Sequence, residues 1–127
     1  MSVASRFIEA LRRLEATHDV EPMAALFAPG AELGNPQIIE VERGPEGTRR
    51  FWDAYRRTFR TIESEFRRVV ESEGASMLEW VSRGVSAEGT PFTYEGVSVL
   101  EHPAGFITRF HAYFDPRSLG EQLQLAS

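Results

Sequence analysis

At about Thr61 the spacing of apolar residues changes, and that one change limits the fold more than anything else in the sequence. Before it, apolar residues recur every three to four positions, as one face of a helix requires. After it they alternate, as in strands with one buried side. A chain that switches once from helices to consecutive strands reads as α+β, with a helical layer packed on one antiparallel sheet.

The helical half divides into three segments. From Arg6 to Glu15, Phe7, Ile8, Leu11 and Leu14 form an apolar stripe, with Glu9, Arg12 and Arg13 opposite. Asp19 is placed to cap a short second helix that carries Pro22 in its first turn, buries Leu26 and Phe27, and stops at Pro29-Gly30. An extended piece through Leu33 and Asn35 and a loop or small hairpin over Ile38 to Val41 lead to Gly44-Pro45-Glu46, which starts a third helix running to about Arg60. Its aromatic stripe is Phe51, Trp52, Tyr55 and Phe59, and its arginines, Arg56 among them, are expected on a solvated face paired with glutamates.

Beyond Thr61, strands are expected over Ile62 to Ser72, Ser76 to Ser86, Phe92 to Glu101 and Phe106 to Phe114. Turns at Gly74, Gly89-Thr90-Pro91 and Pro103-Ala104-Gly105 join them into a curved antiparallel meander. After Asp115-Pro116 the tail, with Leu119, Leu123 and Leu125, either docks or frays. Residues 1–127 form a single domain, a length that suffices for one core.

Those turn lengths set Tyr94 opposite Phe114, Gly96 opposite Ala112 and Ser98 opposite Phe110, with Trp80 opposite Ser98 and Ser82 opposite Gly96. Ser82, Gly96 and Ala112 would then lie side by side as the floor of a recess walled by Trp80, Tyr94, Phe110 and Phe114. The aromatic stripe of the third helix, including Trp52 and Tyr55, would roof it and leave an apolar pocket. Alternatively, the small residues simply let a helix approach the sheet. The other face mixes Val97, Val99, Ile107 and Tyr113 with Glu95, Glu101, Arg109 and His111, a composition suited to burial against a second copy in a homodimer.

Composition removes several chemistries. All 14 basic residues are arginine and cysteine is absent, which excludes lysine Schiff bases, thiol catalysis and disulfides. The net charge of -5 disfavours nucleic acid, because the arginines around Arg49 to Arg60 lie among acidic residues without a stacking motif. Arg6 and Glu9 interrupt any signal-peptide core, and the longest uncharged stretch, Pro22 to Ala31, is too short for a bilayer, so a cytoplasmic location is expected and no membrane partner. The three histidines show no metal-ligating spacing, so neither a metal nor another cofactor is expected.

The element order resembles the nuclear transport factor 2-like (NTF2-like) superfamily, in particular its SnoaL-like polyketide cyclase and limonene epoxide hydrolase branches. The resemblance rests on Leu26-Phe27-Ala28 followed by Leu33-Gly34-Asn35-Pro36, on Gly44-Pro45-Glu46-Gly47, and on Gly105-Phe106-Ile107-Thr108 through Tyr113-Phe114-Asp115. It implies a cone-shaped, cystatin-like α+β barrel with a ligand cavity and a homodimer. It also implies a cavity carboxylate on the last strand, whose counterpart here is Ala112. The epoxide hydrolase arginine and aspartate correspond to Trp80 and Ser82, and the cyclase histidine to Ser98; only the cavity asparagine has a match, in Asn35.

Alanine and serine cannot move a proton as a carboxylate does. Of the other candidates, His111 neighbours the vacant position but alternation sends it to the outer face, and Asp115 is placed to cap the C-terminal turn. Three readings follow. A small apolar molecule binds in the cavity, with Asn35, Ser82, Ser98 and Tyr55 as polar contacts. Alternatively the protein is an isomerase, cyclase or hydrolase whose acid-base group comes from a helix or loop, or a dimeric interaction module.

Overall fold

The computed structural model describes residues 1–125, with side chains described as far as Leu123. Helix α1 (Val3–Thr17) is capped by Ser2, whose Oγ accepts from the Ser5 N–H at 3.1 Å, and ends at His18 in the left-handed conformation. Phe7, Leu11 and Leu14 bury its apolar stripe. Helix α2 spans only Glu21–Ala24, with the Asp19 carboxylate accepting from the Glu21 N–H. Strand β1 (Phe27–Gly34) therefore begins where helix was expected, and Pro29-Gly30 lies inside it. The pairing of β1 shifts register between Phe27 and Glu32, so the Pro-Gly pair makes an irregularity within the strand and not a helix stop.

Strand β2 (Glu42–Arg43) leads into α3 (Gly44–Thr58), then come β3 (Phe59–Glu71), β4 (Ala75–Ser86), β5 (Pro91–Glu101), β6 (Ile107–Phe114) and a fourth helix, α4 (Pro116–Leu125). The six strands form one sheet in the order β2-β1-β6-β5-β4-β3. Its last four strands are the expected antiparallel meander, but β1 joins β6 in parallel, so the sheet is mixed. The order is open, with β2 and β3 at the two edges, so the curved sheet does not close into a barrel. Two register shifts in β3, at Phe59/Thr61 and Phe66/Arg68, provide local bends.

The hairpins pair two residues away from the expected registers. Gly96 faces Phe114 and Trp80, Ser98 faces Ala112 and Leu78, and Ser82 faces Tyr94. The cause lies in the turns. Gly89, at φ 94°, closes a three-residue loop in which Gly89 N–H bonds to Ser86 O and Ser86 N–H to Thr90 O, so Thr90 and Pro91 belong to the strand side of the turn. Gly105, at φ 90°, similarly closes a turn back to His102, whose own N–H is tied to Gly74 O. A slip of two residues preserves every side chain's face, whereas a slip of one would have reversed it.

Helices α1 and α3 cover the inner face of the sheet, and the core forms two apolar clusters. One centres on Phe7, Trp52 and Phe110; the other on Phe59, Trp80, Tyr94 and the α4 residue Leu119. Leu119 and Leu123 thus dock the tail, and Gln122 adds a two-way bond to the Thr93 backbone at 2.9 and 2.8 Å. The Leu125 side chain lies outside the described residues. Among the described residues, no helix is long and apolar enough to cross a membrane.

Candidate functional site

Between the two clusters lies a cavity of about 300 Å³, lined by residues of α1, α3, α4 and the inner face of the sheet. It exists because two pairs of small side chains flank the Trp80 indole. On one side Ser64 of β3 pairs with Ser82 of β4; on the other Ser98 of β5 pairs with Ala112 of β6. Bulkier side chains at those four positions would fill the hollow.

Of the expected site residues, Asn35, Trp52, Tyr55, Trp80, Ser82 and Tyr94 all line this cavity. Ser98, Phe110, Ala112 and Phe114 do so as well. Gly96 does not, and Ser82, Gly96 and Ala112 do not form one row. The glycine instead makes room for the neighbouring strand and for the tryptophan opposite it: a Cβ built on Gly96 would run into the Tyr113 carbonyl oxygen and stand 2.7 Å from Trp80 Cζ2 and 3.0 Å from Phe114 Cβ. The indole consequently lies across the β5 backbone, and its Nε1–H donates to Ser98 Oγ at 3.0 Å.

Asn35 reaches the cavity from the end of β1, with its side-chain Oδ1 accepting from the Gln37 N–H at 2.8 Å. Arg50 and Glu42, joined at 3.0 Å, also border the space. His111 and Asp115 lie elsewhere. His111 is on the outer face, stacked on Tyr113 and in the space left by Gly34, and burial followed by the Arg109 charge pushes its pKa down. Asp115 accepts from the Arg117 N–H at the start of α4.

The acidic group behind the cavity is one that the sequence reading passed over. Glu15 of α1 is only 7% exposed. Its Oε2 accepts from the Tyr55 hydroxyl at 2.7 Å and the Ser64 hydroxyl at 2.6 Å, while Oε1 accepts from the Ser64 N–H at 3.0 Å. Ser64 Oγ is in turn 2.6 Å from Ser82 Oγ. Tyr55, Ser64 and Ser82 line the cavity, so the carboxyl stands one or two hydroxyls behind its wall. The available signal was position: Glu15 follows Phe7 and Leu11 at four-residue intervals, on the stripe that must be buried.

Arg56 is a second correction of the same kind, since it is buried beneath α3 and not on a solvated face. Its Nη1 donates to Phe59 O at 2.9 Å, whereas Arg49, Arg50 and Arg57 do form exposed pairs with Glu21, Glu42 and Asp53.

Burial pushes the Glu15 pKa up, opposed by the hydrogen bonds of Ser64 and Tyr55 and by the nearby Arg56 charge. Burial, and then the Glu15 charge, holds the Tyr55 phenol well above its usual range, so it keeps its proton. Because the folded chain retains the Glu15 proton to higher pH than the unfolded chain, this group's stabilisation is complete below its ordinary value of 4.5 and is lost as pH rises through the raised folded value. Glu15→Gln lacks that loss. The melting temperature of the variant minus that of wild type should therefore increase from pH 4 towards pH 7; a decrease would show the ionised form to be the better accommodated one.

Comparison with known proteins agrees with this architecture. The sequence profile described as "SnoaL-like domain" matches residues 4–110. No curated protein matches the chain. Among solved structures, TerC co-crystallised with polyporic acid superposes with a TM-score of 0.81 at 19% identity, over 97% of this chain and 99% of that one. An NTF2-like protein from Anabaena variabilis gives 0.82 at 18% identity, over 92% and 90% of the two chains. An LEH-like epoxide hydrolase from M. tuberculosis gives 0.72 at 20%, over 97% and 90%. Identities this low establish the fold alone. The match over most of the chain, together with the NTF2-like arrangement of helices on a curved sheet, shows that the protein belongs to the SnoaL-like domain family.

Proposed function

We propose that the protein binds a small, largely apolar, ring-bearing molecule in the cavity between its two aromatic clusters. The observation that carries this reading is the cavity itself: about 300 Å³, walled by aromatic rings, with Ser82 and Ser98 as polar positions on either side of Trp80. Its size is at the lower end of ordinary ligand pockets, and its mostly apolar wall with a few fixed polar groups is their usual composition. Ala112 stands on this wall where the cyclase and epoxide hydrolase pattern would put a carboxylate, which supports binding without chemistry at that strand. A thermal-shift series with terpenoid, steroid and aromatic polyketide-like compounds tests the reading. Saturable stabilisation that grows with free ligand is expected; no stabilisation by any of them at their solubility limits would overturn it.

One observation favours an enzyme as the second reading. Glu15 comes from a helix, and Tyr55, Ser64 and Ser82 connect it to the cavity, so proton exchange with a bound isomerase, cyclase or hydrolase substrate has a route.

The outer face suits a homodimer. Met77, Val99 and His111 form one row across it and Glu79, Val97 and Tyr113 the next, with Met77 and Tyr113 about half exposed at 49% and 48%. Arg109, paired with Glu32 and Glu101, edges this patch. Sedimentation at micromolar concentration should show a dimer that Tyr113→Arg dissociates; a wild-type monomer would remove this assignment. A cytoplasmic role without nucleic-acid binding fits the absence of cysteine and the net charge of -5.

A further inference from the structure

The polar atoms that a ligand meets beside Trp80 have a direction, and Glu15 sets it. An ionised carboxylate only accepts hydrogen bonds. The Ser64 N–H and the Tyr55 and Ser64 hydroxyls all converge on it at 2.6 to 3.0 Å. Each hydroxyl has one proton. With the Ser64 proton given to Glu15, the 2.6 Å contact between Ser64 and Ser82 can be made only by the Ser82 proton donating to Ser64 Oγ. Tyr55 and Ser82 thus direct their protons towards Glu15 and their lone pairs outwards, and both residues line the cavity. Ser98, on the other side of the indole, has the opposite sense: its Oγ accepts from Trp80 Nε1, which leaves its own proton to donate.

We propose that Glu15 is a specificity-determining residue that makes the Tyr55 and Ser82 side of the cavity an acceptor site, selecting ligands with a hydroxyl donor at that end. The ligand class is an apolar ring compound bearing an alcohol or phenol, with room for a carbonyl or ether at the Ser98 end. This rests on the cavity-binding reading above. Around Glu15, α3 contributes Tyr55 and Arg56, β3 contributes Ser64, and Tyr94 of β5 also feels its charge. Neither tyrosine gives up its proton, because burial raises both their pKa values. Three donors converge on the Glu15 carboxyl, the arrangement an ionised carboxylate takes. Glutamine at this position would present an NH2 donor to the same hydroxyl oxygens, so the hydroxyl protons could turn outwards.

The test compares 1-indanol, 1-indanone and indane by calorimetric titration of wild type and Glu15→Gln at pH 8. The alcohol and the ketone have the same carbon frame and differ in whether the oxygen can donate. Ser98 is common to both proteins, so dividing one protein's alcohol-to-ketone affinity ratio by the other's isolates the effect of Glu15. That quotient is expected to show at least a tenfold loss of alcohol preference in Glu15→Gln. A change of less than twofold, with all three compounds still bound, overturns the role of Glu15 and leaves the binding reading intact. If wild type binds none of the three, the binding reading falls and this inference with it. Should Glu15→Gln fail to fold, the double variant Tyr55→Phe/Ser82→Ala gives the same decision: it removes both outward-facing acceptors, so alcohol preference must fall, and an unchanged preference overturns the proposal.

Discussion

Trp52→Ala is expected to lower the free energy of unfolding by about 3–5 kcal/mol, the range for removing a large aromatic from a packed core. Trp52 is 2% exposed. Its ring packs against Phe7, Phe51 and Phe110 with centroids 5.0 to 5.8 Å apart, and against Tyr55 at 5.7 Å, so it links α1, α3 and β6. A domain of this size is commonly stable by only about 5–15 kcal/mol, so the variant should unfold at far lower denaturant concentration and could populate the unfolded state at 37 °C. Trp52→Phe separates packing from polarity. The indole N–H is buried with no hydrogen-bond partner among the described residues. Phenylalanine removes that unsatisfied donor, which offsets part of the lost volume, and its cost should stay below about 2 kcal/mol. Chemical denaturation followed by circular dichroism reads both. Equal losses in the two variants would mean that the indole N–H makes a favourable bond.

The second large effect is on binding. Ala112→Trp is expected to abolish ligand stabilisation, with an affinity loss of at least about a hundredfold, or roughly 2.7 kcal/mol. The Ala112 methyl stands on the cavity wall opposite Ser98, and an indole there occupies the space a ligand would need. Since the substitution fills a hollow, its own effect on stability should remain within about 3 kcal/mol, and the cooperative melt should persist. A variant that folds and is stabilised by the same compounds as wild type would move the ligand away from this cavity.

Much of this architecture can be read from spacing. The α1 stripe, the aromatic face of α3 and the four-strand meander are all legible because period and turn residues agree with burial. Facing was legible for Ser98, Ala112 and Phe110, which reach the inner side even though the registers are two residues off. It was not legible for Ile107, which is buried in the core cluster and not on the outer face, at the irregular start of the β1–β6 pairing. Register itself was not. It depends on how many of the residues Gly89-Thr90-Pro91 the turn uses, and all three read as turn residues in that run; the left-handed φ of Gly89 places the close there and returns Thr90 and Pro91 to the strand side. The parallel partner of β1 was hidden for another reason. That pairing joins residues about 80 positions apart in the chain, as with Glu32 and Arg109, and no local pattern records it.

Glu15 and Arg56 illustrate a different limit. Charged residues are almost always solvated, so each is ordinarily assigned to the outer face of its helix. Helical phase says otherwise: Glu15 is in line with Phe7 and Leu11, and Arg56 follows Trp52 by four residues. A charge on a stripe that must be buried needs partners, and here they are Tyr55 and Ser64 for the carboxylate and the Phe59 carbonyl for the guanidinium. Gly96 shows the converse. Its size suits the floor of a cavity, but the space above it is occupied by the Trp80 ring, because a glycine facing a large aromatic is covered by it.

The most direct measurement is an intermolecular nuclear Overhauser spectrum of the protein with 1-indanol, with alanine, leucine, methionine and valine methyl groups labelled, Ala112 and Leu11 being the reporters of the cavity. Both residues line the cavity. A ligand seated between the two aromatic clusters gives cross-peaks from its ring protons to both methyls. Cross-peaks confined to outer-face methyls such as those of Met77 and Val99, with none to Ala112, would show that the cavity is not where the molecule binds.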